Sequence, residues 1–281
     1  VTVTVIVPTL TATASPTTIC QGNSSQLVAS STFDYVPPIA CGAGPAGCPF
    51  NSKAVEIQVG AGNTFNTNCN NSNANTFGST YSSYNNVVQI LYRASDLTAL
   101  GVGAGNISTI AFDIVNLQAS SSCTTNIASG SFSGFQISMG CTNATDLSVR
   151  QATPVQVFNP KTVTVNNGWN YFSFDQGYNW DGVSNIVIQV CMLSNSSSTF
   201  LTTGNTRDHT TAYTSMSQNF FSQSGNACYV GSAGSETKQS FRPNIKFGLC
   251  QPKNIPLVYS WTPTTGLSNP NIYNPVASPA V

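Results

Sequence analysis

Hydrophobic residues in this chain recur at every second position, segment after segment. Val1, Val3, Val5 and Val7 alternate with Thr2, Thr4 and Ile6 at the start. Val55, Ile57 and Val59 share one face of a second segment, and Ile110, Phe112 and Ile114 one face of a third. The same spacing returns in Phe135/Ile137/Met139, Val163/Val165, Phe172/Phe174 and Ile186/Ile188/Val190, and Phe241–Leu249 reads as a further strand. A period of two puts successive side chains on opposite faces of a strand, so these segments are half-buried β-strands. Between them lie Gly, Asn and Pro clusters of the kind that turn a chain. The one helical signal is Ser95–Gly101, with Ser95 as cap, Asp96 near the positive end and Gly101 as terminator. The expected class is all-β, built of sandwiches.

Charge excludes several functions. Only 6% of the 281 residues are charged, with nine cations against nine carboxylates. That is too few cations for a nucleic-acid footprint, so no nucleic-acid partner is expected. No apolar run approaches the ~20 residues of a membrane-spanning helix, so no membrane insertion is expected. Neither an initiator Met nor a signal segment is present, which reads as a processed product or an excised repeat.

Nine cysteines stand at Cys20, Cys41, Cys48, Cys69, Cys123, Cys141, Cys191, Cys228 and Cys250. None forms a CxxC pair, and His209 is the single histidine, so disulfides in an oxidising compartment outrank a zinc site. An odd count leaves at least one thiol unpaired or bridged to another copy. Spacing leaves several pairings open: Cys41 with Cys48 closing a small loop, Cys191 with Cys228, and either Cys41 or Cys20 with Cys250. No metal or other cofactor is expected.

Catalytic candidates are sparse. Arg207-Asp208-His209 is the densest ionisable cluster, but neighbours on a strand face opposite ways, and a solvated loop is the simpler reading. Glu56, Asp113, Asp175 and Asp181 are the carboxylates a glycosidase would draw on. Asp175 and Asp181 look like turn residues, and no Gly-x-Ser-x-Gly elbow exists. No enzymatic role is expected. Tyr178 and Trp180 offer a sugar-stacking platform with Asp181 as hydrogen-bond partner; the plainer alternative is that Trp180 packs the sandwich edge.

Composition separates two kinds of segment. Residues 1–33 and 254–281 are rich in Thr, Pro and Val, whereas 34–253 hold most aromatics and eight of the nine cysteines. The expected organisation is a small sandwich, 1–33 with 254–281, interrupted by a larger one at 34–253. Insertion at a loop is cheap when the inserted termini lie close together. Joined tail to head, the two ends read as one continuous stretch, as if each unit supplied a strand its neighbour lacks. A free Val1–Val7 strand is an aggregation hazard; added to a neighbour's sheet, its four valines contribute about 6–10 kcal/mol gross before ordering costs. Pairing within its own chain is the alternative. A head-to-tail contact that does not close gives an open filament.

The outer segments resemble the PKD/Ig-like repeats of large secreted surface proteins from gliding bacteria and their relatives. The residues that carry this are Ala14-Ser-Pro-Thr-Thr-Ile-Cys20-Gln-Gly-Asn-Ser-Ser-Gln-Leu27, Tyr259-Ser-Trp261-Thr-Pro263-Thr-Thr-Gly-Leu-Ser268 and Asn274-Pro-Val-Ala-Ser278-Pro. In such repeats the last motif leads into a Thr/Val-alternating strand, which here stands at residues 1–7. The centre, from Gln89–Gly101 through Gly105–Asp113, Phe135–Gly140, Gly168–Phe174 and Trp180–Val190, is similar to a jelly-roll-like module of type IX-exported adhesins. The resemblance implies a secreted, cell-surface protein: a building block of an extracellular filament or repetitive adhesin, partnered by its own copies. A carbohydrate-binding adhesin module, with surface glycans as partner, is the alternative.

Overall fold

In the computed structural model the described residues are 10–31, 39–48, 52–65, 76–77, 84–119, 125–192, 202–222, 228, 235–252 and 259–278. The Val1–Val7 strand, Cys69 and Cys123 lie outside them. The chain divides into two compact units, one from Val1–Pro38 with Lys253–Val281 and one from Ile39–Pro252.

In chain order, β1 (Leu10–Ser15) and β2 (Ser25–Ser31) come first, then β3 (Gly42–Gly44), β4 (Ser52–Val59) and β5 (Tyr84–Tyr92). The short helix α1 (Ala94–Thr98) follows, then β6 (Gly105–Ala119), β7 (Thr125–Asn126), β8 (Ser129–Thr142), β9 (Val155–Asn166), β10 (Gly168–Trp180) and β11 (Asn185–Met192). The remainder is β12 (Thr202–Thr206), β13 (Asp208–Thr210), β14 (Met216–Ser222), β15 (Ser235–Gln239), β16 (Phe241–Pro243), β17 (Ile245–Pro252) and β18 (Val276–Ala277). The protein is therefore nearly all-β.

The larger unit is sandwich-like. One sheet runs β3-β10-β6-β17-β4, with β12 and β7 also paired to β6; the other runs β15-β14-β5-β11-β8-β9. Their facing sides meet in one core. Phe135 of β8 stacks on Phe172 of β10 at 4.8 Å between centroids, and Phe158 of β9 meets Phe172 edge-on at 5.7 Å. Phe77 touches Phe112 and Phe135 from a third segment. The alternating residues read from the sequence supply this core: Ile110, Phe112, Ile114, Phe135, Ile137, Met139, Phe172, Phe174, Ile186, Ile188 and Val190 are all buried. Gly168, at φ 103°, follows Asn167 in the tight turn that carries the chain from β9 in one sheet to β10 in the other.

Three local expectations are corrected. Ser95 is inside α1, and its N-cap is Arg93. Gly101 does terminate the helix, at φ 79°, where its N–H bonds Thr98 and Val102 N–H bonds Leu97 in a Schellman arrangement. Phe241–Leu249 is two strands, broken at Asn244. Strand β11 is buried on both faces, because Leu147 packs on Val187 and Leu91 on the side away from the core.

In the smaller unit, β1 pairs antiparallel with β2, and β2 with β18. The C-terminal segment extends this pairing: Leu27 N–H donates to Pro275 O, and Ala29 N–H to Tyr273 O. Trp261 is outside any strand, and its indole donates to Ile272 O at 2.8 Å.

Candidate functional site

The smaller unit only partly covers the face a sandwich would bury. Its register puts Leu10, Ala12 and Ala14 of β1 on the same side as Leu27 and Ala29 of β2, with Ala12 opposite Ala29 and Ala14 opposite Leu27. Leu10 is 74% exposed, and neither Leu27 nor Ala29 is buried. Tyr273 is 52% exposed. Among the described residues this unit fully buries no aliphatic or aromatic side chain except that of Pro275. A three-stranded sheet without a packed face is marginal in water.

The densest ionisable cluster is not a solvated loop. Asp208 and His209 lie on β13, which pairs with β16, and they point apart as strand neighbours do. His209 joins a knot around Arg242, which is buried. Arg242 Nε donates to His209 Nε2 at 3.0 Å, Nη1 to Leu91 O and to Tyr213 Oη at 2.6 Å each, and Nη2 to Asp96 Oδ2 at 2.8 Å. The guanidinium also lies 4.3 Å from the Tyr92 ring centroid. His209 Nδ1 then carries the proton and donates to Asn244 Oδ1 at 3.1 Å, while Asn244 Nδ2 holds Gly62 O. Burial and the Arg242 charge lower the His209 pKa. Burial opposes ionisation of Asp96, but hydrogen bonds from Tyr213 and Arg242 outweigh it and leave its pKa lowered. On the other side, burial pushes Asp208 up to about 7 against one hydrogen bond from Thr206. A general base needs a free lone pair on its ring. Here both imidazole nitrogens are committed to protein partners, so the cluster braces the fold.

Tyr178, Trp180 and Asp181, weighed as a sugar-stacking platform against inward packing of Trp180, do not present one. Tyr178 and Trp180 are 1% and 0% exposed, so neither ring face is open to a sugar. Trp180 Nε1 donates to Ser184 O, and Asp181 accepts from Val183 N–H, Ser184 N–H and the Ser184 hydroxyl, closing a turn. Alternation placed Trp180 on the inward face, and the turn consumed the carboxylate. The other candidate carboxylates are also engaged. Glu56 pairs with Lys246 at 2.9 Å, Asp113 with Arg207 at 3.3 Å and Asp175 with Lys161 at 3.4 Å.

Three disulfides are described: Cys41–Cys141, Cys48–Cys250 and Cys191–Cys228. The last is one of the pairings the sequence left open. Cys41 does not bridge Cys48 or Cys250, and Cys20 does not bridge Cys250; Cys20 is an exposed free thiol. Cys41 precedes β3, and its bridge to β8 ties one sheet to the other. Sulfur in these bridges is not a thiolate, so Cys41, Cys141 and Asp181 do not make a metal centre despite their proximity. The bridges fit an oxidising environment. Among the described residues no helix is long and apolar enough to cross a membrane.

No protein-family model, curated protein or solved structure matches this chain.

Proposed function

We propose that this protein is a structural building block of an extracellular filament or repetitive cell-surface adhesin, joined head to tail, without a catalytic role. The incompletely covered Leu10/Ala12/Ala14 face of the smaller unit carries the reading. In this reading the three-stranded sheet β1-β2-β18 is one half of an immunoglobulin-like sandwich, and a second sheet would lie over that face. The Trp261 segment and the alternating Val1–Val7 strand of a second copy are the natural contributors to that second sheet. Strand addition satisfies the backbone of the incoming segment, and alternate valines fill the core. The larger unit, a jelly-roll-like sandwich in this reading, then decorates the polymer. A chain with nine charges of each sign lets many copies pack without mutual repulsion. Disulfide bracing suits the extracellular setting.

Sedimentation and electron microscopy of the protein with and without residues 1–7 test this. Polymers from the intact chain and monomers from the truncated one are expected; intact chains that stay monomeric at high concentration refute it. The mass of native material after reduction and denaturation separates two versions. A band near 29.5 kDa means separate subunits; a far larger mass means tandem repeats in one polypeptide.

A further inference from the structure

The outer face of the seven-stranded sheet carries two aromatic rings and two of the ion pairs. Phe172 and Phe174 of β10 point into the core, so Trp169, Tyr171 and Ser173 point out. Trp169 is partly exposed and Tyr171 is 53% exposed, about 7 Å apart along one strand. Ala111 of β6 is in register with both Tyr171 and Lys246. Lys246 Nζ arches over it to Tyr171 Oη at 3.1 Å and to Glu56 at 2.9 Å, and lies 4.9 Å from the Trp169 ring centroid. In the adjacent row Ser173, Thr109 and Gly248 are in register across three strands. Glu56 of β4 continues this row beyond Gly248. Asp113, opposite Trp169, is paired with Arg207.

We infer that this face is a binding site for a neutral polysaccharide, with Trp169 and Tyr171 as stacking rings and the Glu56–Lys246 and Asp113–Arg207 pairs as hydrogen-bonding groups. The charges select the ligand class. Four of the chain's few charged residues lie on this face, yet each cation is matched by a carboxylate. Such a face gives a polyanion no net attraction. It is too polar to dock an apolar protein surface. A chain of sugar rings has apolar C–H faces that fit exposed aromatic rings and equatorial hydroxyls that exchange hydrogen bonds with paired carboxylates and ammonium groups. The site does not depend on whether the units polymerise.

Affinity electrophoresis of the intact protein through gels containing glucomannan, galactomannan, xyloglucan or hydroxyethylcellulose tests it, with polygalacturonate and chondroitin sulfate as charged counterparts. Retardation by at least one neutral polymer, insensitive to salt, is expected. Trp169→Ala and Tyr171→Ala should each weaken it about tenfold, and the double variant should abolish it; Val183→Ala, an exposed apolar residue elsewhere, should not change it. Retardation by none of the neutral polymers overturns the site, as does retardation by charged polymers alone. So does undiminished retardation of a double variant that keeps its near-ultraviolet circular dichroism.

Discussion

Arg242 donates its Nε proton to Nε2 of His209 across 3.0 Å, and burial together with this cation lowers the pKa of the ring. The two residues belong to paired strands β13 and β16, in register with each other. One guanidinium thereby donates to a histidine, a tyrosine, an aspartate and a backbone carbonyl.

Arg242→Ala should cost about 2–3 kcal/mol in urea denaturation, because the Leu91 carbonyl loses a buried donor, whereas Asp96 is partly exposed and still accepts from Tyr213. Arg242→Lys should recover only a minor part, since one ammonium cannot reproduce the planar fork. A loss below about 1 kcal/mol for the alanine variant would show that the knot is not a brace.

Gly60 lies beneath the same ring at φ 87°, where a Cβ would run into His209 and Asn244. Gly60→Ala should destabilise by about 2 kcal/mol or more. Gly101 has a similar φ of 79° with nothing near its missing Cβ, so Gly101→Ala should cost only about 1 kcal/mol. Equal losses in the two variants would mean that backbone strain alone matters at Gly60.

Asp208 makes stability depend on pH. Its pKa is raised from 3.8 to about 7 by burial, so the folded state holds the proton more tightly than the unfolded chain. That contribution is fully present below about pH 4 and is lost as pH rises through about 7. His209 acts in the opposite sense: with its pKa lowered from 6.5, its contribution is lost as pH falls below that value. The test is therefore the difference between parent and variant. Asp208→Asn still accepts from Thr206, and should be more stable than the parent at pH 9 by about 2–4 kcal/mol while gaining little at pH 4. A difference that does not change with pH sinks the assignment.

The Cys48–Cys250 bridge closes a separation of 202 residues, nearly the whole larger unit. Replacing both cysteines by serine should cost about 2–5 kcal/mol, measured as a lowered Tm under oxidising conditions. Cys20→Ser, at an exposed free thiol, should leave Tm unchanged.

Several features were legible in the sequence because they are local. Alternation at Ile110/Phe112/Ile114 and Ile186/Ile188/Val190 is a property of an extended backbone and needs no knowledge of neighbours. Gly101 could be named as a helix stop for the same reason. The inward direction of Trp180 was also latent, since it shares parity with the buried Phe172 and Phe174; the intervening bulge in β10 obscured it. Tyr171 carried the opposite parity, and that was the missed signal for an exposed ring.

Alternation and composition suffice for an all-β chain, its inward faces and a set of cysteines suited to bridges. Which cysteine meets which, and the convergence of Asp96, Tyr213, His209 and Arg242, come from the packing of distant segments. Periodicity specifies which way a side chain faces, but its partners depend on which strands the chain lays side by side. Here His209 and Arg242 lie on β13 and β16, which form a two-stranded sheet of their own, Asp96 lies in α1 and Tyr213 outside any strand, and only their packing together brings the four within hydrogen-bond reach.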